Sequence, residues 1–144
     1  MHTYNIIDGI KDNENIYLVE DDYLHTLDAI TVLNEGIDKF GMVSCYDHPI
    51  NFTDVPERFG LTKSSHWRTV DVTTQTFGVS RQRYEQIKTY LRMYTDDITF
   101  FRKCHNDLGL RLWSCIPGRS THLNKDLLSP YTDWESVNNN SKEV

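Results

Sequence analysis

Cysteine is scarce in this chain and what there is does not pair. Cys45, Cys104 and Cys115 are odd in number and widely spaced, with no CxxC among them. That argues against a disulfide framework and against a zinc ribbon, and it makes a reducing, cytoplasmic setting the default. Long apolar runs are missing as well: no stretch approaches the length of a membrane span, and no secretory signal opens the sequence. Basic charge is short, with 15 Lys and Arg against 21 Asp and Glu and a net charge of −6. Neutralising a nucleic-acid backbone needs a basic face. The only basic run, "RQRYEQIK", reads as the wet side of a helix, so no nucleic-acid partner is expected. Internal repeats are absent too.

What is present suits one globular domain. The chain has 144 residues, 38% apolar and 12% aromatic, enough to bury a core. "TYNIIDGIK" carries apolar residues at helical spacing and "DNEN" breaks it. Ile16, Tyr17, Leu18 and Val19 read as an interior strand. "HTLDAITVLNEGIDKFG" places Leu27, Ile30, Leu33 and Ile37 on one helical face, with Gly41 as the stop. "MVSCY" is a short strand. "DHPINFTDVPERFGLTKSS" reads as a long loop of the functional kind. "HWRTVDVTTQTFGVS" gives one or two strands, rich in Thr and Val. A helix capped by Ser80 follows, then one with Asp96 or Asp97 at its start and Gly109 at its end. "LRLWSCI" is a last strand, "PGRSTHLNKDLLSPYTDW" an extended tail, and "ESVNNNSKEV" a frayed end. The expected class is α/β, with residues 1–134 as the domain and 135–144 as a flexible tail.

One stretch raises a chemical question. The apolar strand stops at Glu20, Asp21 and Asp22, with no basic residue between them. Three like charges repel unless a cation sits among them. The carboxyl end of a strand is also where open α/β sheets bind ligands. The string "IYLVEDDYL" resembles the first strand of a response-regulator receiver, whose acidic pair holds Mg²⁺ beside a phosphoacceptor Asp. The window where that Asp should end another buried strand is "ERFGLTKSSHW", which has none, and the closing Lys-Pro is missing.

The chain more closely resembles a GT-A type glycosyltransferase, in the arrangement of the N-acetylglucosaminyltransferase I-like enzymes. A helix precedes the acidic strand in "YNIIDGIKDNENIYLVEDDYL". "VTTQTFGVSRQRYEQIKTYL" looks like the acceptor-side strand and helix. "YTDDITFFRKC" puts an acidic pair at a helix start, and "CIPGRSTHL" is a strand followed by a small-residue loop ending in His. The resemblance covers residues 3 to 134. It implies a mixed sheet flanked by helices and transfer of a sugar from a nucleoside diphosphate sugar to a hydroxyl acceptor, with Mn²⁺ or Mg²⁺ as cofactor. Asp22 and His122 would hold the metal. Glu20, Asp21 and Arg119 would contact the donor, and Asp97 would be the general base of an inverting reaction. Only nineteen residues precede the triplet, so the nucleotide-binding half of such a domain is expected to be missing. The open sheet edge would then invite a partner chain or a second copy. An inactive remnant serving as a binding module is the other outcome of that departure.

Other roles stay open for several of these residues. Asp96 and Asp97 suit a helix cap, and a helix start would lower the pKa of Asp97 rather than raise it. His122 suits a loop-packing role and Arg119 a solvent-exposed loop. His48 and His66 flank the long loop as structural or acceptor-site residues. Trp67, Phe77 and Trp113 read as core.

Overall fold

The computed structural model describes residues 6–53 and 55–142. Its elements are β1 (Asn15–Leu18), β2 (Tyr23–His25), α1 (Ala29–Phe40), β3 (Met42–Ser44), β4 (Phe59–Leu61), β5 (His66–Val70), β6 (Phe77–Ser80), α2 (Arg81–Met93), α3 (Asp97–Leu108), β7 (Leu112–Ile116), β8 (Ser120–His122) and α4 (Trp134–Ser141). Six strands form one sheet in the order β1-β6-β3-β7-β5-β4, and β2 with β8 forms a separate two-stranded ribbon. The β3–β7 pair is parallel and the other ladders are antiparallel. The class is therefore α/β with a mostly antiparallel sheet flanked by helices.

Alternation along the strands divides two cores. Val43, Cys45, Trp67, Trp113 and Cys115 face α1 and pack on its Val32, Leu33 and Ile37. Ile16, Met42, Val70, Phe77, Val79 and Leu112 face the other way, onto Tyr84, Ile87 and Leu91 of α2 and Phe100, Phe101 and Cys104 of α3. Gly36 permits the first packing, because a Cβ there would collide with the indole of Trp67. The three cysteines are free and buried. No helix among the described residues is long and apolar enough to cross a membrane.

Caps set the helix bounds. Ser80 accepts from the backbone N–H of Arg83 at the start of α2, and Asp96 accepts from that of Thr99 at the start of α3. Gly109, at φ 68°, closes α3 in the left-handed conformation that favours glycine.

Four expectations change. The first helix, expected to run to residue 11, ends at residue 8, and residues 3–5 lie outside the described residues. Helix α1 begins at Ala29, so Leu27 and Ile30 stand exposed and the buried stripe is Ala29, Val32, Leu33, Gly36 and Ile37. The long loop contains a 3₁₀ turn at Pro49–Phe52 and the edge strand β4. The tail contains β8, and the residues expected to fray form α4. That helix is capped by Asp133 on Ser136 and anchored by buried Trp134, whose Nε1 donates to the Ser129 carbonyl at 2.7 Å.

Strands β1, β3 and β7 run in one direction, with β6 antiparallel between β1 and β3. The carboxyl ends of those three strands and the amino end of β6 therefore meet at one rim, which carries the polar chemistry.

Candidate functional site

Glu20, Asp21 and Asp22 form the exposed turn between β1 and β2. Two backbone features bring His122 to it. Tyr23 pairs with His122 across the ribbon, and the Leu123 N–H donates to the Asp22 carbonyl at 2.8 Å. The His122 Nε2 then lies 3.1 Å from Asp22 Oδ2, on side chains 23% and 50% exposed, so the pair opens to solvent. The other ring nitrogen, Nδ1, is buried without a hydrogen-bond partner. The Tyr23 ring meets the His122 ring edge-on at 5.2 Å.

The run Thr73-Thr74-Gln75-Thr76 holds the rim together one residue at a time. Thr73 Oγ1 meets Ser44 Oγ at 3.3 Å, Thr74 Oγ1 meets the Tyr23 hydroxyl at 2.7 Å, and Thr76 Oγ1 accepts from the Glu20 N–H at 3.1 Å. Gln75 lies near enough to Asp97 to pull its pKa down. Sequence reading took this run as the start of a strand. Its alternation of short hydroxyls and an amide was the available signal.

Asp97 departs from expectation in two ways. Asp96, not Asp97, caps α3: its carboxylate accepts from the Thr99 N–H at 2.8 Å, which lowers its pKa. Asp97 occupies the first helical turn, and its pKa is raised rather than lowered. Burial is the main cause and the Glu20 charge comes next, against a lowering hydrogen bond from Gln75. Its Oδ1 is buried without a partner. Tyr23 ties these groups to one place. Burial pushes its hydroxyl up to about 12, with Glu20, Asp22 and Asp97 all adding to the rise. Three carboxylates, one from each predicted role, thus act on one phenol.

Arg119 does not join them. It sits three residues before His122, about 10 Å along an extended strand. There its Nε holds Asp28 at 3.0 Å and its Nη1 donates to the Pro117 carbonyl at 2.8 Å. These contacts fasten the far end of the ribbon to the start of α1.

A second cluster was not foreseen. Asp47, fully buried just beyond β3, pairs with Arg68 of β5 at 2.5 Å. Its Oδ1 also accepts from Asn51 at 3.2 Å and Ser114 at 3.4 Å. The guanidinium lies over the Phe52 ring at 4.2 Å. Burial raises the Asp47 pKa against the pull of Arg68, and Asp47 Oδ2 and Arg68 Nε have no partners. Ser129 locks the adjacent backbone, accepting from the Asp47 N–H and donating to its carbonyl.

No protein-family model, curated protein or solved structure matches the chain. Among the described residues, no three His, Cys, Asp or Glu side chains converge where they could hold a metal ion.

Proposed function

We propose that the chain is a glycosyltransferase of the GT-A type, or the catalytic-metal half of one, acting on a nucleoside diphosphate sugar and a hydroxyl acceptor. One observation carries the reading: Asp22 and His122, a hundred residues apart in sequence, meet at 3.1 Å on the rim that also holds Asp97. A carboxylate oxygen suits Mn²⁺ or Mg²⁺, and an imidazole nitrogen beside it favours Mn²⁺, the softer of the two. Two ligand atoms at right angles around one such ion, each about 2.1 Å from it, stand about 3 Å apart. Two protein ligands rather than three fit an ion that takes its other ligands from water and substrate phosphates. When bound, the ion would neutralise charge growing on the departing diphosphate.

The chain's own residues do the rest. His122 would turn its Nε2 lone pair to the ion and carry its proton at Nδ1. Glu20 and Asp21, exposed on the same turn, are within reach of sugar or ribose hydroxyls. Asp97 takes the acceptor's proton as the hydroxyl oxygen bonds to the anomeric carbon and the bond from that carbon to the diphosphate breaks. Its raised pKa makes it a better base than an ordinary carboxylate. A base on the acceptor side implies inversion. The receiver reading gains nothing from a sheet with one parallel pair, since receivers are built on parallel sheets.

Among the described residues no strand pairs with the outer flank of β1, which supports a partner chain or a second copy in this reading. Exposed Ile30 lies one turn before Asn34, which reaches Asn15 of β1. Light scattering at high concentration is expected to show association; a monodisperse monomer would remove that element.

Calorimetry with Mn²⁺ and release of nucleoside diphosphate from a panel of donor sugars test the function. The wild-type chain is expected to bind Mn²⁺ and Asp22→Asn to lose it. Equal Mn²⁺ binding by the two proteins would overturn the assignment.

A further inference from the structure

The sheet ends in β1 on one side and in β4 on the other. Strand β4 is short, but its hydrogen-bonding directions are fixed. The Thr62 N–H donates to the Ser65 carbonyl at 2.9 Å and the Thr69 N–H to the Arg58 carbonyl at 3.0 Å, so Arg58 and Thr62 turn inward to β5. Alternation then turns the N–H and C=O groups of Phe59 and Leu61 outward. Lys39 of α1 shows the same direction, since its Nζ donates to the Leu61 carbonyl at 2.5 Å. Among the described residues no strand pairs with this outer edge. The side chains divide as well. A Cβ on Gly60 would collide with Phe40 and press on Trp113, so the α1 face of β4 is filled. Phe59 and Leu61 point the other way and stand 71% and 56% exposed. Unpaired backbone groups beside exposed apolar side chains make an edge that accepts another strand.

We infer that this strand is β4 of a second copy of the chain, paired antiparallel about a twofold axis at Gly60, so that two sheets join into one. The edge is complementary to itself in that register. Phe59 falls opposite Leu61 of the copy and Leu61 opposite its Phe59, and each pair exchanges both of its outward N–H···O=C bonds. The four apolar side chains then form one cluster on the exposed face. Farther out, Glu57 comes beside Lys63 of the copy on each side of the axis. The contacts of Glu57 with Arg111 fall on its Oε2, which leaves Oε1 for that lysine. Sliding by two residues loses the match: one slip sets Phe59 against Lys63, the other sets Leu61 against Glu57. Lys39 can keep its bond, because the Leu61 carbonyl has a second lone pair. A twofold contact uses up the edge on both chains and stops at two.

The test combines sedimentation velocity with amide hydrogen exchange by NMR on the full chain, from micromolar to millimolar concentration. Dimers are expected at the upper end. As they form, the Phe59 and Leu61 amides are expected to slow about tenfold or more, while those of β1 keep their rates. Leu61→Lys is expected to weaken the dimer about tenfold. Lys63→Glu, on an exposed turn, sets like charges together and is expected to weaken it severalfold without touching the fold. A chain that stays monomeric at millimolar concentration overturns the inference. So does a dimer whose Phe59 and Leu61 amides exchange as fast as in the dilute chain. Protection of β1 alone would place the contact on the flank invoked for the transferase, and growth past the dimer with both edges protected would mean β1 pairing with β4; either result also overturns it. No readout here uses metal or donor sugar, so the transferase reading stands or falls separately.

Discussion

Two carboxylates near the rim of the sheet each meet a nitrogen base, Asp22 with His122 and Asp47 with Arg68, and their surroundings differ. Asp47–Arg68 is sealed: Asp47 is fully buried, the partners are 2.5 Å apart, and Asn51, Ser114 and the Phe52 ring complete the enclosure. Asp22–His122 is open: the carboxylate is half exposed, and the partners are joined by the ribbon backbone rather than by side-chain packing. Both charges of a sealed pair are already desolvated and cannot separate cheaply. An open pair exchanges its partner for a ligand at little cost. Both pairs set a carboxylate against a nitrogen base, a permanently charged one in Arg68 and a titratable one in His122; burial fixes the first within the fold and leaves the second open to solvent.

The largest test of that contrast is Asp47→Ala. It strands the Arg68 guanidinium in the interior, a loss of about 3–5 kcal/mol. A fall in melting temperature of roughly 10 °C or more is expected by calorimetric scanning. A melting temperature close to wild type would show that the pair is solvated and that the two clusters are alike.

Next in size is Asp96→Ala. Asp96 caps α3 through Thr99 at 2.8 Å, and losing such a cap costs about 1 kcal/mol. Denaturant unfolding is expected to register that loss while donor turnover persists. Abolished turnover in a folded Asp96→Ala protein would move the base from Asp97 to Asp96.

Asp22→Asn follows. The open pair contributes within about 1 kcal/mol, so the unfolding midpoint is expected to move little while Mn²⁺ binding disappears. Asp8→Asn serves as the control, since Asp8 is engaged with Arg92 at 2.7 Å on the outer side of α2, and it is expected to bind Mn²⁺ as wild type does. A large stability loss in Asp22→Asn would make its pair structural, like that of Asp47.

The open cluster was the more legible of the two in the sequence. Local signals sufficed for its parts: an apolar run halted by three acids, an acidic pair at a helix start, Ser80 and Gly109 as helix bounds. The pairing of Tyr23 with His122 was beyond local pattern, because β8 is three residues long and its partner lies a hundred residues upstream. The sealed cluster left no trace, since "YDH" and "HWRTV" look like any loop start and strand, and only the sheet brings Asp47 to Arg68. The contact of Arg119 with Asp28 was likewise beyond local pattern, since the two lie 91 residues apart in sequence. Leu27 and Ile30 misled because helical spacing continued past the true start of α1. There Val32 and Gly36, which the apolar count underweighted, form the buried stripe.

The smallest effect expected on stability has the opposite sign. Asp97 is held above its usual pKa of 3.8 by burial and by Glu20. Between the unfolded and folded values the native state binds more protons than the unfolded chain, so stability falls as pH rises through that window. Above the window the loss is complete and constant. Asn cannot ionise, so Asp97→Asn is expected to melt slightly higher than wild type at pH 7, and the gap should close as pH drops below 3.8. The same change removes the base, and transfer is expected to fall by a factor of about 10²–10⁴ while Mn²⁺ binding at Asp22 and His122 survives. A helix-dipole role predicts the reverse in stability: a carboxylate near the start of α3 would favour the fold, and Asp97→Asn would melt lower at pH 7. Melting curves of the two proteins at pH 3 and pH 7 therefore separate a strained catalytic carboxyl from a second cap, without needing the substrate.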